Sequence, residues 1–476
     1  MRPPASPLVA ITLAALVLTL GCGEPQGPAP TPTPSVDTAW RDALLPANEL
    51  GGRTLLADAR DGWTVRRVDR PARGRGERSM ARATGAAASS DMPMDEGAVL
   101  EASAPMAPAP GAAAGRDRAA DGGAPLRAGS IDDNAAYEEF LTFLATWEDQ
   151  EGVADKAHVV DVRDRTWIRV VGPQGRPVPL ARVTVIDEQA DRVAWSATTL
   201  GDGRVAFYPH ADGLEAPATW RVEVQAAGQT TVATLDAAAR TLDVRMPTSY
   251  AMPQSVPLDV CFLIDTTGSM GDEIGRIKHT LLAVTKRLRD LAVEFDLRYG
   301  AVLYRDLTDD YVTMRRLFSS DIEGFDAALR AVEAGGGGDM PESLNQGLAE
   351  AIGQMDWRQD AAKLCFLVAD APPHMDYAGD VAYDRSMRAA AERGIKVHAV
   401  AASGLDPFGS LVMRQVAQMT RGRFTFIEYG GDVVASGAAH GVKDTGPANN
   451  LDAILFRTIQ DELSGWGRPE ASSSVD

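Results

Sequence analysis

Two short apolar runs, each followed by a carboxylate, most constrain the fold of this chain. Residues 260–264 precede Asp265, and residues 363–369 precede Asp370. Apolar runs of this length, separated by helical stretches, are typical of parallel strands buried on both faces of a sheet. In such sheets ligands bind beyond the carboxyl ends of the strands. We therefore expect Asp265 and Asp370 to lie at the same edge of an α/β sheet.

Hydroxyl side chains follow the first carboxylate at every second position. Asp265, Thr267 and Ser269 form this series, with Thr266 and Gly268 between them. Carboxylate and hydroxyl oxygens are hard ligands that suit Mg²⁺, Mn²⁺ or Ca²⁺. The spacing predicts a divalent-cation site. A helix N-terminal cap is the alternative interpretation, because Thr and Ser also favour that position.

The rest of residues 256–466 alternates between strand-like and helical patterns. Strand-like runs follow at 297–304, 312–318, 363–369, 396–402 and 423–428. A helix begins near residue 274, and further helical runs lie near 321–334, 343–355, 381–393, 406–420 and 451–466. This order predicts a doubly wound, mostly parallel α/β sheet with six strands, five of them parallel. No Gly-x-Gly-x-x-Gly fingerprint or Walker loop follows a strand-like run, which disfavours nucleotide binding.

A glycine run at residues 335–338 leads into further polar candidates. Asp339 is a candidate ligand, with capping of the next helix as the alternative. We interpret Glu342 as a first-turn carboxylate stabilised by the helix dipole. His374 could face the site, but we interpret it as a solvated loop residue. The role of Asp306, another strand-end carboxylate, stays open.

Three motifs in this order resemble those of the von Willebrand factor type A domain, in the subgroup with Asp-x-Thr-Gly-Ser-Met. They are that motif at 265–270, Gly-Gly-Gly-Asp-Met-Pro-Glu at 336–342 and Asp-Ala-Pro-Pro-His at 370–374. The resemblance covers residues 256–466 and implies a metal-ion-dependent adhesion site, with Mg²⁺ as the expected ion and Mn²⁺ or Ca²⁺ as alternatives. Many members of the family have a threonine in the second loop, where this chain offers Asp339. We expect Thr267 and Ser269 to bind the ion directly and the aspartates to act mainly through water; the implied ligands are Asp265, Thr267, Ser269, Asp339 and Asp370.

The N-terminus resembles a bacterial lipoprotein signal. Residues 8–20 form an uncharged apolar run of 13 residues, which suits a secretory signal and is too short to span a bilayer. Leu-Thr-Leu-Gly-Cys at 18–22 is similar to a lipobox, which implies removal of residues 1–21 and lipidation of Cys22. A plain signal peptide is the alternative. Gly23 is not the aspartate associated with inner-membrane retention in enteric bacteria, so the expected location is the outer membrane of a Gram-negative envelope.

Three segments precede the expected α/β domain. Residues 22–130 are rich in Ala, Pro and Gly, which predicts a disordered tether. Residues 131–157 are expected to contain a short amphipathic helix at about 134–148. Residues 158–247 show strand-like runs with turn residues at short intervals, the pattern of a β-sandwich. This part resembles the carboxypeptidase regulatory-like sandwich of bacterial surface proteins, which implies a stalk or binding module.

The cysteines at the centre of the α/β segment are expected to be structural. Cys261 and Cys365 are predicted to lie on neighbouring strands. They precede Asp265 and Asp370 by four and five residues, and this difference predicts that they occupy opposite faces of the sheet. We expect buried free thiols, although an oxidising envelope would permit a disulfide.

Charge and motif content narrow the function to three classes. The net charge of −19 disfavours nucleic-acid binding. The leading hypothesis is a non-enzymatic, lipid-anchored protein whose bound cation takes a carboxylate from a protein partner. The alternative is an envelope-assembly scaffold in which the metal is only structural. A metal-assisted hydrolase is the third class, although the sequence contains no recognisable Ser/His/Asp set, His-Glu-x-x-His motif or paired-metal cluster.

Overall fold

The computed structural model describes residues 44, 49–69, 126–148, 157–213, 215–250, 253–290, 295–338, 340–428, 431–443 and 449–466. The predicted signal segment and two candidate functional residues, Cys22 and Asp339, lie outside this described part. Within it, no helix is both long enough and apolar enough to cross a membrane.

The N-terminal part of the described chain contributes strands to a sheet rather than a tether. Its elements are β1 (Glu49–Leu50), β2 (Arg53–Arg60), β3 (Trp63–Val68), β4 (Arg127–Ile131) and α1 (Tyr137–Glu148). Strands β1 to β3 fall within residues 22–130, so the prediction of disorder is wrong for them. The average composition hides a few well-placed apolar residues, of which Leu50, Leu55, Trp63 and Val65 are buried. Their burial compensates the ordering entropy of the segment.

Residues 158–247 form two small sheets. Their strands are β5 (Thr166–Val171), β6 (Arg182–Asp187), β7 (Arg192–Thr198), β8 (Arg204–Phe207), β9 (Thr219–Ala226), β10 (Gln229–Asp236) and β11 (Thr241–Arg245). One sheet has the order β10-β9-β6-β7 and the other β11-β5-β8. Phe207 of β8 contacts Trp220 of β9 with ring centroids 5.2 Å apart, and this contact joins the two sheets.

The remaining elements alternate between strand and helix. The strands are β12 (Val256–Asp265), β13 (Phe295–Tyr304), β14 (Thr313–Ser319), β15 (Ala362–Ala369), β16 (Ile395–Ala401), β17 (Phe424–Ile427) and β18 (Asn449–Asn450). The helices are α2 (Ile274–Asp290), α3 (Ile322–Arg330), α4 (Leu344–Gly353), α5 (Tyr383–Arg393), α6 (Pro407–Met419), α7 (Val433–Ala439) and α8 (Leu451–Ser464). The strands and helices predicted for residues 256–466 are present, and α7 and β18 are additional.

The large sheet has the order β1-β2-β3-β14-β13-β12-β15-β16-β17-β4-β18. Strands β13, β12, β15, β16 and β17 are mutually parallel, and β14 is antiparallel to β13. The five parallel strands and the helices confirm the prediction of an α/β fold, but the sheet as a whole is mixed rather than mostly parallel. The sheet is wider than predicted, because β3 pairs with the edge strand β14 and β4 pairs with β17 at the opposite edge.

Both faces of the large sheet are covered. On one face α2 buries Ile277, Leu281 and Val284, its predicted apolar stripe. On the other face, the two small sheets share one continuous core with α5 and α6. The Thr198 hydroxyl of β7 donates to the backbone carbonyl of Glu392 at 2.6 Å. Residues 158–247 therefore pack directly against the α/β part of the chain.

The two core cysteines face each other across neighbouring strands. Cys261 of β12 and Cys365 of β15 are register partners, and both are buried and free. The prediction that they occupy opposite faces is wrong. The reason is that β15 ends at Ala369, so that Asp370 lies one residue beyond its strand whereas Asp265 is still part of β12.

Candidate metal site

The carboxyl ends of two neighbouring parallel strands bring the predicted aspartates to one place. Strand β12 ends at Asp265, and Asp370 directly follows its parallel neighbour β15. Asp265 is fully buried and Asp370 is 4% exposed. Both side chains lie beyond the centre of the sheet, where α/β folds bind ligands.

The first loop directs its hydroxyl groups toward Asp265. Thr267 donates twice to Asp265 Oδ1, from its backbone N–H at 2.9 Å and from its hydroxyl at 2.7 Å. The hydroxyls of Thr267 and Ser269 are 3.1 Å apart. A 3₁₀ turn, Gly268–Asp272, begins after Thr267, but the Thr267 side chain makes no capping hydrogen bond to it. Helix capping therefore does not account for this series of polar residues.

The second loop lies against the first because it is built of glycine. Gly336 and Gly337 have φ angles of 77° and 69°, in the left-handed region that favours glycine. The Gly336 carbonyl accepts from the Gly268 backbone N–H at 3.1 Å. A Cβ atom on Gly268 would stand 2.7 Å from the backbone carbonyl oxygen of Gly336. A larger residue would push the two loops apart.

Glu342 belongs to the site, which the sequence interpretation missed. It is 2% exposed, and it is held beside the third loop by hydrogen bonds to the backbones of Pro372 and His374, each at 3.0 Å. Burial, with the charge of Asp265 as the next cause, raises the pKa of Glu342 to about 9. The next helix begins at Leu344 with Ser343 as its N-cap, so Glu342 lies before the first turn and its interpretation as a first-turn carboxylate is wrong. The available sequence signal was its position at the end of the glycine-rich second loop.

The other carboxyl groups of the site also have raised pKa values. Burial and then the charge of Asp370 raise the pKa of Asp265 to about 7. Burial also raises the pKa of Asp370. These acids are close enough to repel one another when ionised, so full ionisation requires a compensating positive charge.

The hydrogen bonding of three buried carboxylate oxygens indicates whether a cation fits this site. Asp265 Oδ2, Asp370 Oδ1 and Glu342 Oε2 are buried and have no hydrogen-bond partner among the described residues. Buried polar atoms in this condition are rare and costly. Within the same part of the chain, no group of three or more His, Cys, Asp or Glu residues is arranged to hold a metal ion. Together with the hydroxyls of Thr267 and Ser269, these carboxylates form an oxygen-only set of side chains, of the kind that suits Mg²⁺, Mn²⁺ or Ca²⁺.

A second cluster of polar side chains lies beside the site, and its members form hydrogen bonds with one another. Asp306, which is 2% exposed, accepts from the Ser343 hydroxyl at 3.1 Å and from the Tyr377 hydroxyl at 3.0 Å. His374 is 7% exposed, so the prediction that it is solvated is wrong. Its ring stacks on Tyr377 with centroids 3.9 Å apart, and its Nδ1 bonds the Asp376 carboxylate at 2.8 Å. The third loop folds back over the site and buries this histidine.

Comparison with known proteins identifies the α/β part of the chain. Residues 259–404 match the family model described as von Willebrand factor A domain. The alpha-protein kinase vwkA of Dictyostelium discoideum is 31% identical over 131 residues, which is 27% of this chain and 20% of that protein. The putative ariadne-like RING finger protein R811 of Acanthamoeba polyphaga mimivirus is 28% identical over 123 residues, 26% of this chain and 12% of that protein. The chain thus spans a fifth or less of these relatives.

Solved structures show only distant likeness. The pilus adhesin SpaC of Lactobacillus rhamnosus GG, in its open conformation, has 12% identity and a TM-score of 0.32, covering 52% of this chain and 33% of that one. The conserved hypothetical protein BatB of Bacteroides thetaiotaomicron has 11% identity and a TM-score of 0.31, covering 44% of this chain and 100% of that one. The identification rests instead on the match of residues 259–404. This chain contains a von Willebrand factor A domain.

Proposed function

We propose that this chain is an envelope protein that binds a protein partner through a divalent cation held by its von Willebrand factor A domain. The observation that carries the proposal is the set of three buried, partnerless carboxylate oxygens on Asp265, Asp370 and Glu342. Domains of this family often mediate adhesion or protein interaction. The proposed activity is binding, without a catalytic step.

The ligand roles follow from the chemistry of the side chains. Thr267 and Ser269 hold the cation through their hydroxyl oxygens, while Asp265 and Asp370 supply negative charge, mainly through coordinated water. Glu342 adds a third charge, and Asp339 remains a proposed contributor from the second loop. Mg²⁺ retains several waters and accepts few direct protein ligands, so this set suits it, and Mn²⁺ or Ca²⁺ are alternatives. The bound cation offers a coordination position to a carboxylate of the partner.

The location and the accessory parts belong to the same proposal. Lipidation of Cys22 anchors the protein, and the expected site is the outer membrane of a Gram-negative bacterium. Residues 158–247 act as a β-sandwich of the carboxypeptidase regulatory-like type. Cys22→Ala is expected to release the protein from washed membrane fractions, as detected by immunoblotting. If the variant stays in the membrane pellet through the same washes, the lipid anchor is wrong.

The experiment that tests the site is a thermal melt with and without cation. Wild type, Asp265→Ala and a control, Glu333→Gln, are melted in EDTA and in excess Mg²⁺, Mn²⁺ or Ca²⁺. Glu333 is an exposed carboxylate, so the control removes a charge from the surface only. A ligand at about 100 times its dissociation constant stabilises a protein by about 2.7 kcal/mol. We expect this stabilisation in wild type and Glu333→Gln and its loss in Asp265→Ala.

A pull-down from envelope extract then separates the functional classes. Capture of a partner that requires the cation and is lost in Asp265→Ala supports cation-mediated binding. Capture that persists in EDTA, together with cation-dependent melting, supports the scaffold with a structural metal. If none of the ions raises the wild-type melting temperature, or if Asp265→Ala responds equally, the proposed metal site is wrong.

A further inference from the structure

We infer that residues 49–55, in β1 and the first part of β2, position the metal-binding loops, so that cation affinity depends on the docking of this segment. This inference rests on the proposed cation site and assigns a role to a segment that makes no direct contribution of ligands. The argument follows a continuous series of contacts from these strands to all three loops of the site.

The first contact is a small hydrophobic cluster beside the site. Leu50 and Leu55 from the N-terminal strands are buried against Leu307 and Val312, with Val68 and Tyr377 packed around them. Leu50 is fully buried. Because protein interiors are close-packed, removing one member shifts its neighbours. This cluster, which we call the clamp cluster, joins the N-terminal strands to the 305–312 loop and to the third loop.

The 305–312 loop connects the clamp cluster to the first and second metal-binding loops. Within it, the Asp309 carboxylate accepts from the backbone N–H of Asp306 at 3.0 Å and from that of Gly337 at 2.9 Å. The neighbouring Gly336 carbonyl bonds the backbone of Gly268, next to Thr267. Two hydrogen bonds therefore separate the 305–312 loop from a hydroxyl ligand of the proposed cation site.

The third loop is bound to the N-terminal strands directly. The backbone N–H of Gly51 donates to the Ala378 carbonyl at 3.1 Å. The neighbouring Tyr377 reaches Asp306 with its hydroxyl and packs in the clamp cluster with its ring. This loop begins at Asp370, so the N-terminal strands restrain the loop that carries the second aspartate of the site.

Strand β3, whose Trp63 and Val65 lie outside the clamp cluster, provides matched controls. Trp63 and Val65 are buried in a different core cluster, which packs α2 and α3 against the sheet. Arg66 forms an ion pair with Glu350 of α4 at 3.0 Å. Truncation at Val65 weakens the docking of β3 without touching the clamp cluster, so it separates positioning of the loops from general stability.

A pair of glycines offers a second matched comparison. Gly51 and Gly52 both have positive φ angles, so alanine strains the backbone at either position. A Cβ atom at Gly51 would stand 2.8 Å from Leu307 Cδ2, whereas a Cβ at Gly52 meets nothing within 4 Å. The difference between the two alanine variants therefore reports on the clamp cluster alone.

The test measures Mn²⁺ affinity of the full chain by electron paramagnetic resonance, together with the melting temperature in EDTA. Leu50→Ala is compared with Val65→Ala, and Gly51→Ala with Gly52→Ala. Energetic coupling between sites is typically worth about 5-fold or more in affinity. We expect Leu50→Ala to weaken Mn²⁺ binding by about 5-fold and Gly51→Ala to weaken it more than Gly52→Ala. Val65→Ala is expected to lower the melting temperature while affinity stays within about twofold, and Leu50→Met to restore binding.

Two results would contradict the inference that the N-terminal strands position the loops. If Leu50→Ala binds Mn²⁺ as tightly as wild type, or if Leu50→Ala and Val65→Ala weaken binding equally, the N-terminal strands do not position the loops. In that case the proposed metal site itself stands, because wild type still binds. A wild-type chain that takes up no Mn²⁺ overturns the proposed site and this inference together.

Discussion

The two ends of strand β12 each carry a buried aspartate, but the two side chains have different electrostatic surroundings. Asp259 near its start and Asp265 at its end are both fully buried. Asp259 accepts from the Arg298 guanidinium at 2.8 and 2.9 Å and from Arg358 Nε at 3.0 Å. Asp265 instead accepts from Thr267 and faces the carboxyl groups of Asp370 and Glu342.

The difference separates a carboxylate that is neutralised by arginines of the same chain from one that is not. At the start of the strand the chain supplies its own cations, so the charge of Asp259 is neutralised within the fold. At the end of the strand the described residues supply hydroxyl groups and further acids. Buried charge is tolerated only when it is paired or coordinated. This difference is the reason that we propose a cation site at the carboxyl end of the sheet and not at its start.

The largest expected effect comes from removing one charge at each end of β12. Asp259→Asn leaves Arg298 and Arg358, whose side chains are 20% exposed, without their carboxylate. Breaking a buried ion pair from one side typically costs about 3–5 kcal/mol. Asp265→Asn is expected to cost nothing in EDTA, because it relieves repulsion with Asp370. The free energy of unfolding of both variants is measured by urea unfolding in EDTA. Equal losses of this free energy in Asp259→Asn and Asp265→Asn would mean that the two aspartates contribute equally to stability.

A smaller effect is expected in the pH dependence of stability without cation. The pKa of Asp265 is raised from its ordinary 3.8 to about 7 in the folded chain. The folded state then binds more protons than the unfolded state, so stability falls as pH rises from about 4 to about 7. Between about pH 5.5 and 7.5 the fall due to Asp265 is about 2 kcal/mol.

The measurement is a series of urea unfolding curves in EDTA across this pH range, with Asp265→Asn as the control. The asparagine does not titrate, so the variant is expected to lose less stability than wild type over the same interval. Excess Mg²⁺ is expected to oppose the loss in wild type, because the cation binds the ionised carboxylates. Parallel curves for wild type and variant would contradict the raised pKa of Asp265.

The sequence predicts the strands and helices of this chain well, but it does not predict which distant segments pack against one another. The strands and helices of residues 256–466 follow from periodicity, and the two strand-end aspartates follow from the rule for parallel sheets. Glu342 and His374 were misread because their burial depends on how the third loop folds over the second. Strands β1–β3 were missed because their short apolar segments are stabilised by residues far away in the sequence, namely the edge strand β14 and the cluster with Leu307 and Val312.

The smallest expected effect distinguishes a local carboxylate at the site from a general negative surface. Glu342→Gln keeps the shape of the side chain and removes one charge from the site. The number of charged ligands tunes cation affinity, and we expect Mn²⁺ binding to weaken about tenfold, equivalent to about 1.4 kcal/mol. Glu333→Gln removes the same charge from an exposed position, where screening by salt makes its contribution small.

Isothermal titration of Mn²⁺ into both variants at about 0.15 M salt provides the measurement, because exposed charges more than about 8 Å apart are largely screened there. Glu342→Gln is also expected to be more stable than wild type in EDTA, since burial and the neighbouring aspartates disfavour the ionised glutamate. Weaker cation binding together with higher stability in the absence of cation is the result expected for a buried carboxylate that binds the cation. A carboxylate on the surface would show neither effect. Equal affinities for Glu342→Gln and Glu333→Gln would instead mean that Glu342 takes no part in the proposed cation site.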